Sequence, residues 1–136
     1  MKVPVFTDEI IKKNLQEVQE VWKSQKPFIL WNSNKEIDQR LLKKVSDEVF
    51  AGKNNGFFYL STSGSTGSPK LVIASNKRAE RMSSIISNNQ NLKYCKNIIV
   101  ALPMSYSFAF INQFVYSIIF KKELVISKGL VDPKDL

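Results

Sequence analysis

The chain has 136 residues, of which 43% are hydrophobic and 24% charged, a balance typical of a globular domain or part of one. It has no histidine and one cysteine, Cys95, which excludes a disulfide framework, a zinc site of the usual ligands and histidine-dependent catalysis. The net charge is +8, but the lysines are spread along the chain without a long basic block, so nucleic-acid binding is not predicted.

The N-terminal segment predicts a helix followed by a short strand. Residues 1–6 carry one lysine and precede an acidic pair, which is not the pattern of a signal peptide. Over residues 7–25 apolar side chains recur at spacings of three and four, and Thr7 suits a helix start, so this segment predicts one helix. Residues 28–31 follow Pro27 and predict a short buried strand.

A second helix and a turn lead to the next strand. Ser33 and Glu36 have the spacing of a capping box and predict a helix that continues through Phe50. Residues 51–56 contain two glycines and two asparagines, which is typical of a turn. A strand is predicted directly after this turn, at residues 57–60.

The second half of the chain alternates strands and helices. Met82, Ile85 and Ile86 form the apolar stripe of the first of these helices. The predicted elements are a strand at 71–75, a helix at 77–88, a third central strand at 98–102, a helix at 110–120 and a strand at 124–127. Helices that alternate with short strands rich in β-branched residues predict an α/β sheet covered by helices.

Residues 98–120 form a run of 23 positions without a charged side chain, which is long enough for a membrane-spanning helix. Pro103, Asn112 and Gln113 interrupt this run, together with several serines and tyrosines. We therefore expect a core strand, a loop and a helix here, and no membrane span. The single cysteine favours a reducing compartment, and we expect a cytoplasmic location.

The most informative segment is the loop between the predicted strands at 57–60 and 71–75. It reads Ser61-Thr62-Ser63-Gly64-Ser65-Thr66-Gly67-Ser68-Pro69-Lys70. Glycines let the backbone approach a ligand closely, successive amides can surround an anion, and hydroxyls add donors. Lys70 adds a charge-assisted hydrogen bond. The loop therefore predicts a phosphate-binding site.

Other interpretations of this loop fit less well. A Walker A loop ends in Gly-Lys-Ser/Thr and enters a helix, whereas here Pro69 precedes Lys70 and a strand follows. The spacing of Gly64 and Gly67 does not fit the dinucleotide-binding motif. A flexible Ser/Gly linker stays open as an alternative, although linkers seldom lie between two apolar strands.

The segment from Thr62 to Lys70 resembles the phosphate-binding signature of the adenylate-forming, or AMP-binding, ligase superfamily. This superfamily includes acyl-CoA synthetases, luciferases and the adenylation domains of peptide synthetases. Its signature reads Thr-Ser-Gly-Ser/Thr-Thr-Gly-x-Pro-Lys, and the chain matches it at every fixed position. The order and spacing of elements resemble the family over residues 57–127, and only loosely before that.

A second motif supports the same resemblance. Residues 99–108 look like the family's strand ending in Leu-Pro-Leu/Met and the turn that opens a helix beside the acid-substrate pocket. By this resemblance Tyr106 lines that pocket. The family often has glycine where Ala109 stands, and glycine before the later strand where Lys121 and Lys122 stand, so the pocket and that turn differ in shape.

The resemblance implies an α/β fold with a mixed sheet flanked by helices, forming part of the large N-terminal domain of such ligases. Residues 1–136 are then a single, partial domain with a phosphate-binding loop at 61–70. The resemblance also implies ATP and Mg²⁺ as cofactors, a small carboxylic acid as substrate, and CoA or a carrier-protein thiol as a possible acceptor. The implied phosphate-binding residues are Thr62, Ser63, Gly64, Ser65, Thr66, Gly67 and Lys70.

In the family reaction the acid attacks the α-phosphorus of ATP, giving an acyl-adenylate and pyrophosphate without an enzyme nucleophile. We find no catalytic residue and no metal ligand in this chain, and no counterpart of the family's later motifs. We therefore expect an N-terminal portion that is inactive without a C-terminal portion or subunit. The alternatives are a non-catalytic ATP- or anion-binding module or degenerate ligase, and a basic membrane- or nucleic-acid-associated protein.

Overall fold

The computed structural model describes residues 2–32, 36–62, 67 and 69–127. The chain divides into two compact units, Met1–Asn76 and Lys77–Leu136. In the described residues, the first unit contains a four-stranded mixed sheet and the second a two-stranded parallel sheet, and both units contain helices. The predicted fold class, α/β with a mixed sheet flanked by helices, is confirmed.

The first unit is built on a sheet in the order β1-β2-β3-β4. The first three strands run parallel, and β4 is antiparallel to β3. Its elements are β1 (Val5–Phe6), α1 (Asp8–Lys13), α2 (Leu15–Lys23), β2 (Ile29–Leu30), α3 (Gln39–Phe50), β3 (Phe57–Ser61) and β4 (Leu71–Ser75). The strands predicted at 28–31, 57–60 and 71–75 are therefore present, to within one residue at each end.

The N-terminal helix is divided at Asn14, whereas the sequence predicts one helix over 7–25. The Asn14 side chain accepts a hydrogen bond from the Glu17 amide at 3.3 Å, so it caps α2 just where α1 ends. Asparagine offers the backbone this alternative to a continuous helix. Strand β1 was not predicted, because two residues are too few to show a periodicity.

Helix α3 begins later than the capping box at Ser33 and Glu36 predicts. The Asp38 carboxylate accepts a hydrogen bond from the Arg40 amide at 2.8 Å, and this caps a helix whose first residue is Gln39. Glu36 precedes the helix, and Ser33 lies outside the described residues. The predicted start is wrong because a nearer carboxylate satisfies the first amides.

The two faces of the first sheet bury different side chains. On one face Trp22 of α2 packs edge-on to Phe58, with ring centroids 5.6 Å apart, and Phe28 stacks on Phe58 at 5.4 Å. Tyr59 follows Phe58 along β3 and so points to the opposite face. There it packs in a core with Val45 of α3. Helices therefore cover both faces of this sheet.

The second unit is a strand–helix–strand arrangement preceded by a long helix. Helix α4 (Asn76–Gln90) starts at the last residue of the first unit. It is followed by a 3₁₀ turn (Leu92–Tyr94), β5 (Asn97–Val100), α5 (Ser107–Ala109), a π-helical segment (Phe110–Val115), α6 (Tyr116–Ile119) and β6 (Glu123–Ile126). The strand predicted as a third central strand instead pairs with β6 in a separate sheet.

The apolar stripe predicted for α4 is wrong at two of its three positions. Met82 and Ile85 are 49% and 44% exposed. The buried face instead carries small side chains, and the Ser83 hydroxyl donates to the Ile111 carbonyl at 2.7 Å. A hydroxyl that is hydrogen-bonded to a backbone carbonyl can be buried at little cost, and hydropathy does not reveal this.

The uncharged run at 98–120 forms a strand, a loop and a helical segment, as predicted. The Gln113 side chain donates to the Ile99 carbonyl at 3.3 Å, and the Tyr116 hydroxyl donates to the Leu92 carbonyl at 3.1 Å. These bonds attach the helical segment to its own unit. Within the described residues, no helix is long and apolar enough to cross a membrane.

Candidate functional site

The predicted phosphate loop is carried by the hairpin of β3 and β4. The two strands pair over five positions, from Phe57 opposite Ser75 to Ser61 opposite Leu71. The other end of the hairpin is closed by a hydrogen bond from the Asn76 amide to the Gly56 carbonyl at 2.9 Å. The loop therefore begins and ends at fixed points on a sheet, which fits a binding loop better than a free linker.

Thr62 and Lys70 meet at the base of the loop. The Thr62 amide donates to the Lys70 carbonyl at 2.8 Å, and the Lys70 amide donates to the Thr62 hydroxyl at 3.3 Å. The hydroxyl of Ser61 accepts from the Asn32 amide at 2.6 Å, which ties the same end of β3 to the residues after β2. Two of the predicted phosphate ligands are thus brought together.

Gly67 has the backbone geometry that the motif requires of a glycine. Its φ is +93°, a conformation that other residues rarely adopt, and no atom of the described residues lies within 4 Å of where a Cβ would be. Ser63, Gly64, Ser65 and Thr66, the other predicted phosphate ligands, lie outside the described residues.

The Lys70 side chain is exposed. In the part of the chain that the structure describes, no carboxylate forms a salt bridge with it. A lysine without a fixed counter-ion at the end of an anion-binding loop suits a phosphate group as its partner.

Lys70 also borders a cavity of about 220 Å³ on the face of the sheet that α3 covers. We call it the α3–β4 cavity. This cavity was not predicted from the sequence, although Leu41, Lys44, Val45 and Glu48 share one face of α3 by their spacing. Its lining residues are Leu41, Lys44, Val45, Glu48, Tyr59, Pro69, Lys70, Leu71 and Ile73.

A hydrogen-bonded group of Glu48, Asn54 and Tyr59 lies at this cavity. The Tyr59 hydroxyl donates to the Glu48 carboxylate at 3.1 Å, and the Asn54 amide donates to the Tyr59 oxygen at 2.6 Å. Burial raises the pKa of Tyr59 to about 12, and the hydrogen bond to Glu48 and its charge act in the same direction. Tyr59 therefore stays a neutral donor at physiological pH.

Tyr106, the predicted pocket residue, belongs to the second unit, whereas the loop belongs to the first. It immediately precedes α5, and its carbonyl accepts from the Phe110 amide at 2.9 Å. Its side chain is 44% exposed and does not line the α3–β4 cavity. Its role as a pocket residue stays a prediction.

The second unit has a cavity of its own, of about 380 Å³, whose described lining carries no charged side chain. Its walls combine apolar side chains with four amides and the thiol of Cys95. This lining gives an anionic phosphate chain no charged partner.

Among the described residues, no group of three or more His, Cys, Asp or Glu side chains is placed to hold a metal ion. By sequence the loop contains hydroxyls and Lys70, which suit phosphate oxygens, and it offers no carboxylate to Mg²⁺.

No protein-family model matches the chain, and no curated protein matches it. One solved structure is similar: an acyl-CoA synthetase (AMP-forming)/AMP-acid ligase II-like protein from Dyadobacter fermentans, with 22% sequence identity and a TM-score of 0.50. The match covers 74% of this chain but 29% of that one, so this chain spans less than a third of its length. The likeness shows a shared fold.

Proposed function

We propose that this chain is the N-terminal, phosphate-binding portion of an AMP-forming carboxylic acid ligase. The observation that carries the proposal is the loop of residues 61–70, which matches the family signature. Thr62 and Lys70 close this loop at its base, on the β3–β4 hairpin. The fold likeness to part of an AMP-forming synthetase supports the same proposal.

In this proposal the loop holds the β- and γ-phosphates of ATP, which leave as pyrophosphate. The hydroxyls of Ser63, Ser65 and Thr66 donate to phosphate oxygens, and Gly64 and Gly67 allow the backbone to wrap around them. Lys70 neutralises charge. Mg²⁺ arrives with the nucleotide, and turnover requires residues beyond these 136, acting on a small carboxylic acid bound near Tyr106.

Calorimetric titration of the chain with ATP and with pyrophosphate tests the binding step. We expect saturable binding that Lys70→Ala weakens by about tenfold or more, because a hydrogen bond to a charged group contributes roughly 1.5–3 kcal/mol. Lys53→Ala is the matched control, since Lys53 is an exposed lysine of the same unit outside the loop. Absence of binding, or equal effects of the two substitutions, would refute a phosphate role for the loop.

An ATP–pyrophosphate exchange assay tests the incompleteness of the active site. We expect no exchange by the 136-residue chain with any carboxylic acid. Robust exchange would show that the chain is sufficient for adenylation. Binding of ATP without exchange, even after ligase portions from outside this chain are added, would favour the alternative of a non-catalytic ATP- or anion-binding module.

A further inference from the structure

The α3–β4 cavity combines an apolar floor with two lysines. Leu41 of α3 lines one side, and Leu71 and Ile73 of β4 line the other. Ile73 is 50% exposed, so apolar surface in this cavity is left in contact with water. Covering such surface is favourable for an occupant that has an apolar part.

Lys44 and Lys70 supply the charge. Both side chains are exposed, and within the described ranges neither forms a salt bridge with a carboxylate. Although Lys44 and Glu48 lie one helical turn apart, Glu48 is hydrogen-bonded to Tyr59 and Asn54 instead. Two lysines and one carboxylate leave a net charge of +1 on the part of the lining that the structure describes.

The charge and the apolar floor together select the class of ligand. Inorganic phosphate would leave the floor exposed, and a neutral apolar molecule would leave both lysines without a partner. A small molecule that carries one anionic group on an apolar body satisfies both parts. At about 220 Å³ the cavity is below the range of roughly 300–1,000 Å³ for sites of drug-sized ligands, so the body is small.

We propose that the α3–β4 cavity binds a small organic anion, such as a short-chain or aromatic carboxylate. Its anionic group lies between Lys44 and Lys70, and its apolar body covers Leu41, Leu71 and Ile73. The site is separate from the acid-substrate pocket implied at Tyr106, which belongs to the second unit. It goes beyond the proposed function, and because Lys70 serves both sites, ATP bound at the loop should compete with the organic anion for this lysine.

The test is a titration of the ¹⁵N-labelled chain with sodium hexanoate at constant ionic strength, followed by amide chemical shifts. We expect saturable shifts at Lys44, Val45 and Ile73. Lys44→Met should weaken binding about three- to fivefold, as expected for an exposed charge contact. Lys43→Met is the matched control, because Lys43 is the neighbouring exposed lysine of α3 and does not line the cavity.

Two further measurements test whether the charge of the ligand and of Lys44, and not their shape alone, determines binding. Hexanol, which has the same chain without the charge, should bind more weakly than hexanoate, and Lys44→Arg should retain the affinity. Thermal unfolding of each variant by circular dichroism checks that the fold is intact.

The proposal is overturned by absent shifts in the cavity, by equal effects of Lys43→Met and Lys44→Met, or by equal binding of hexanol and hexanoate. Shifts confined to the Tyr106 region would also overturn it, since the anion would then occupy the other unit. A parallel titration with pyrophosphate, followed at Thr62 and Gly67, reports on the loop. Failure of the loop and failure of the cavity are therefore distinguishable.

Discussion

Tyr59 links the core of the first unit to the polar rim of the α3–β4 cavity. Its ring packs with Val45 and Ile29, whereas its hydroxyl is bonded to Glu48 and Asn54. Burial, together with Glu48, raises its pKa from 10 to about 12. The folded chain therefore holds the phenol proton more tightly than the unfolded chain does.

This shift predicts how stability depends on alkaline pH. Between about pH 10 and 12 the unfolded chain releases the Tyr59 proton first, so stability is fully present below pH 10 and falls as the pH approaches 12. A shift of two units corresponds to a loss of about 3 kcal/mol at most. Denaturant unfolding at a series of pH values measures it.

Tyr59→Phe is the control for this effect, because it keeps the ring and removes the titrating group. The variant should be less stable than the parent chain at pH 8 by about 1 kcal/mol, from the lost hydrogen bonds. The difference between the two should shrink above pH 10 and change sign before about pH 12, because the loss of up to about 3 kcal/mol in the parent chain exceeds 1 kcal/mol. A constant difference from pH 8 to 12 would show that Tyr59 does not titrate with folding.

At the scale of elements, the end of α6 shows a conformation that usually belongs to glycine. Lys121 has a φ of +52°, and the Lys122 amide donates to the Ser117 carbonyl at 2.9 Å. This is the geometry of a Schellman cap, whose left-handed residue is most often glycine. A lysine therefore occupies a turn position that favours glycine.

Lys121→Gly is expected to stabilise the second unit. The left-handed conformation costs a non-glycine residue about 1–2 kcal/mol. Glycine removes this strain, but its greater freedom in the unfolded chain reduces the gain in stability by about 0.5–1 kcal/mol. A net gain of about 0.5–1 kcal/mol should appear in denaturant unfolding. Lys122→Gly should destabilise instead, since Lys122 has no positive φ and its ammonium donates to the Lys93 carbonyl at 2.9 Å. Equal effects of both substitutions would contradict this explanation.

At the scale of the whole molecule, the excess of basic over acidic residues leads to repulsion between like charges. The chain carries 20 basic and 12 acidic residues, and the one salt bridge resolved among the described residues joins Lys12 to Asp8 at 2.9 Å. An excess of like charge destabilises a compact state, and salt screens that repulsion.

Stability should therefore rise with moderate salt. Between about 0.01 and 0.1 M sodium chloride the screening length falls from about 30 to 10 Å, which shortens the reach of each lysine. We expect the melting temperature, measured by circular dichroism, to increase over this range. A constant or falling melting temperature would show that favourable charge pairs outweigh the net repulsion.

Short-range patterns in the sequence predict the strands on either side of the loop. Contacts between residues far apart in the chain determine which elements pack together. The strands on both sides of the loop were predictable because apolar runs and turn residues lie next to one another in the chain. The first residue of α3 was not predictable from the sequence, because Asp38 and the pair Ser33–Glu36 offer similar capping chemistry. The buried face of α4 was not predictable either, since Ser83 is buried by a hydrogen bond to Ile111, 28 positions away.

Residue types and short-range spacing were enough to predict the strands that flank the loop at 61–70 and the α/β class, because both are local properties of the chain. The tertiary structure alone decided that Thr62 and Lys70 close the base of the loop, and that Lys44 and Lys70 border one cavity. It also decided that β5 and β6 form their own sheet. Contacts between residues far apart in the chain depend on how the elements pack, and the composition of each element does not specify them.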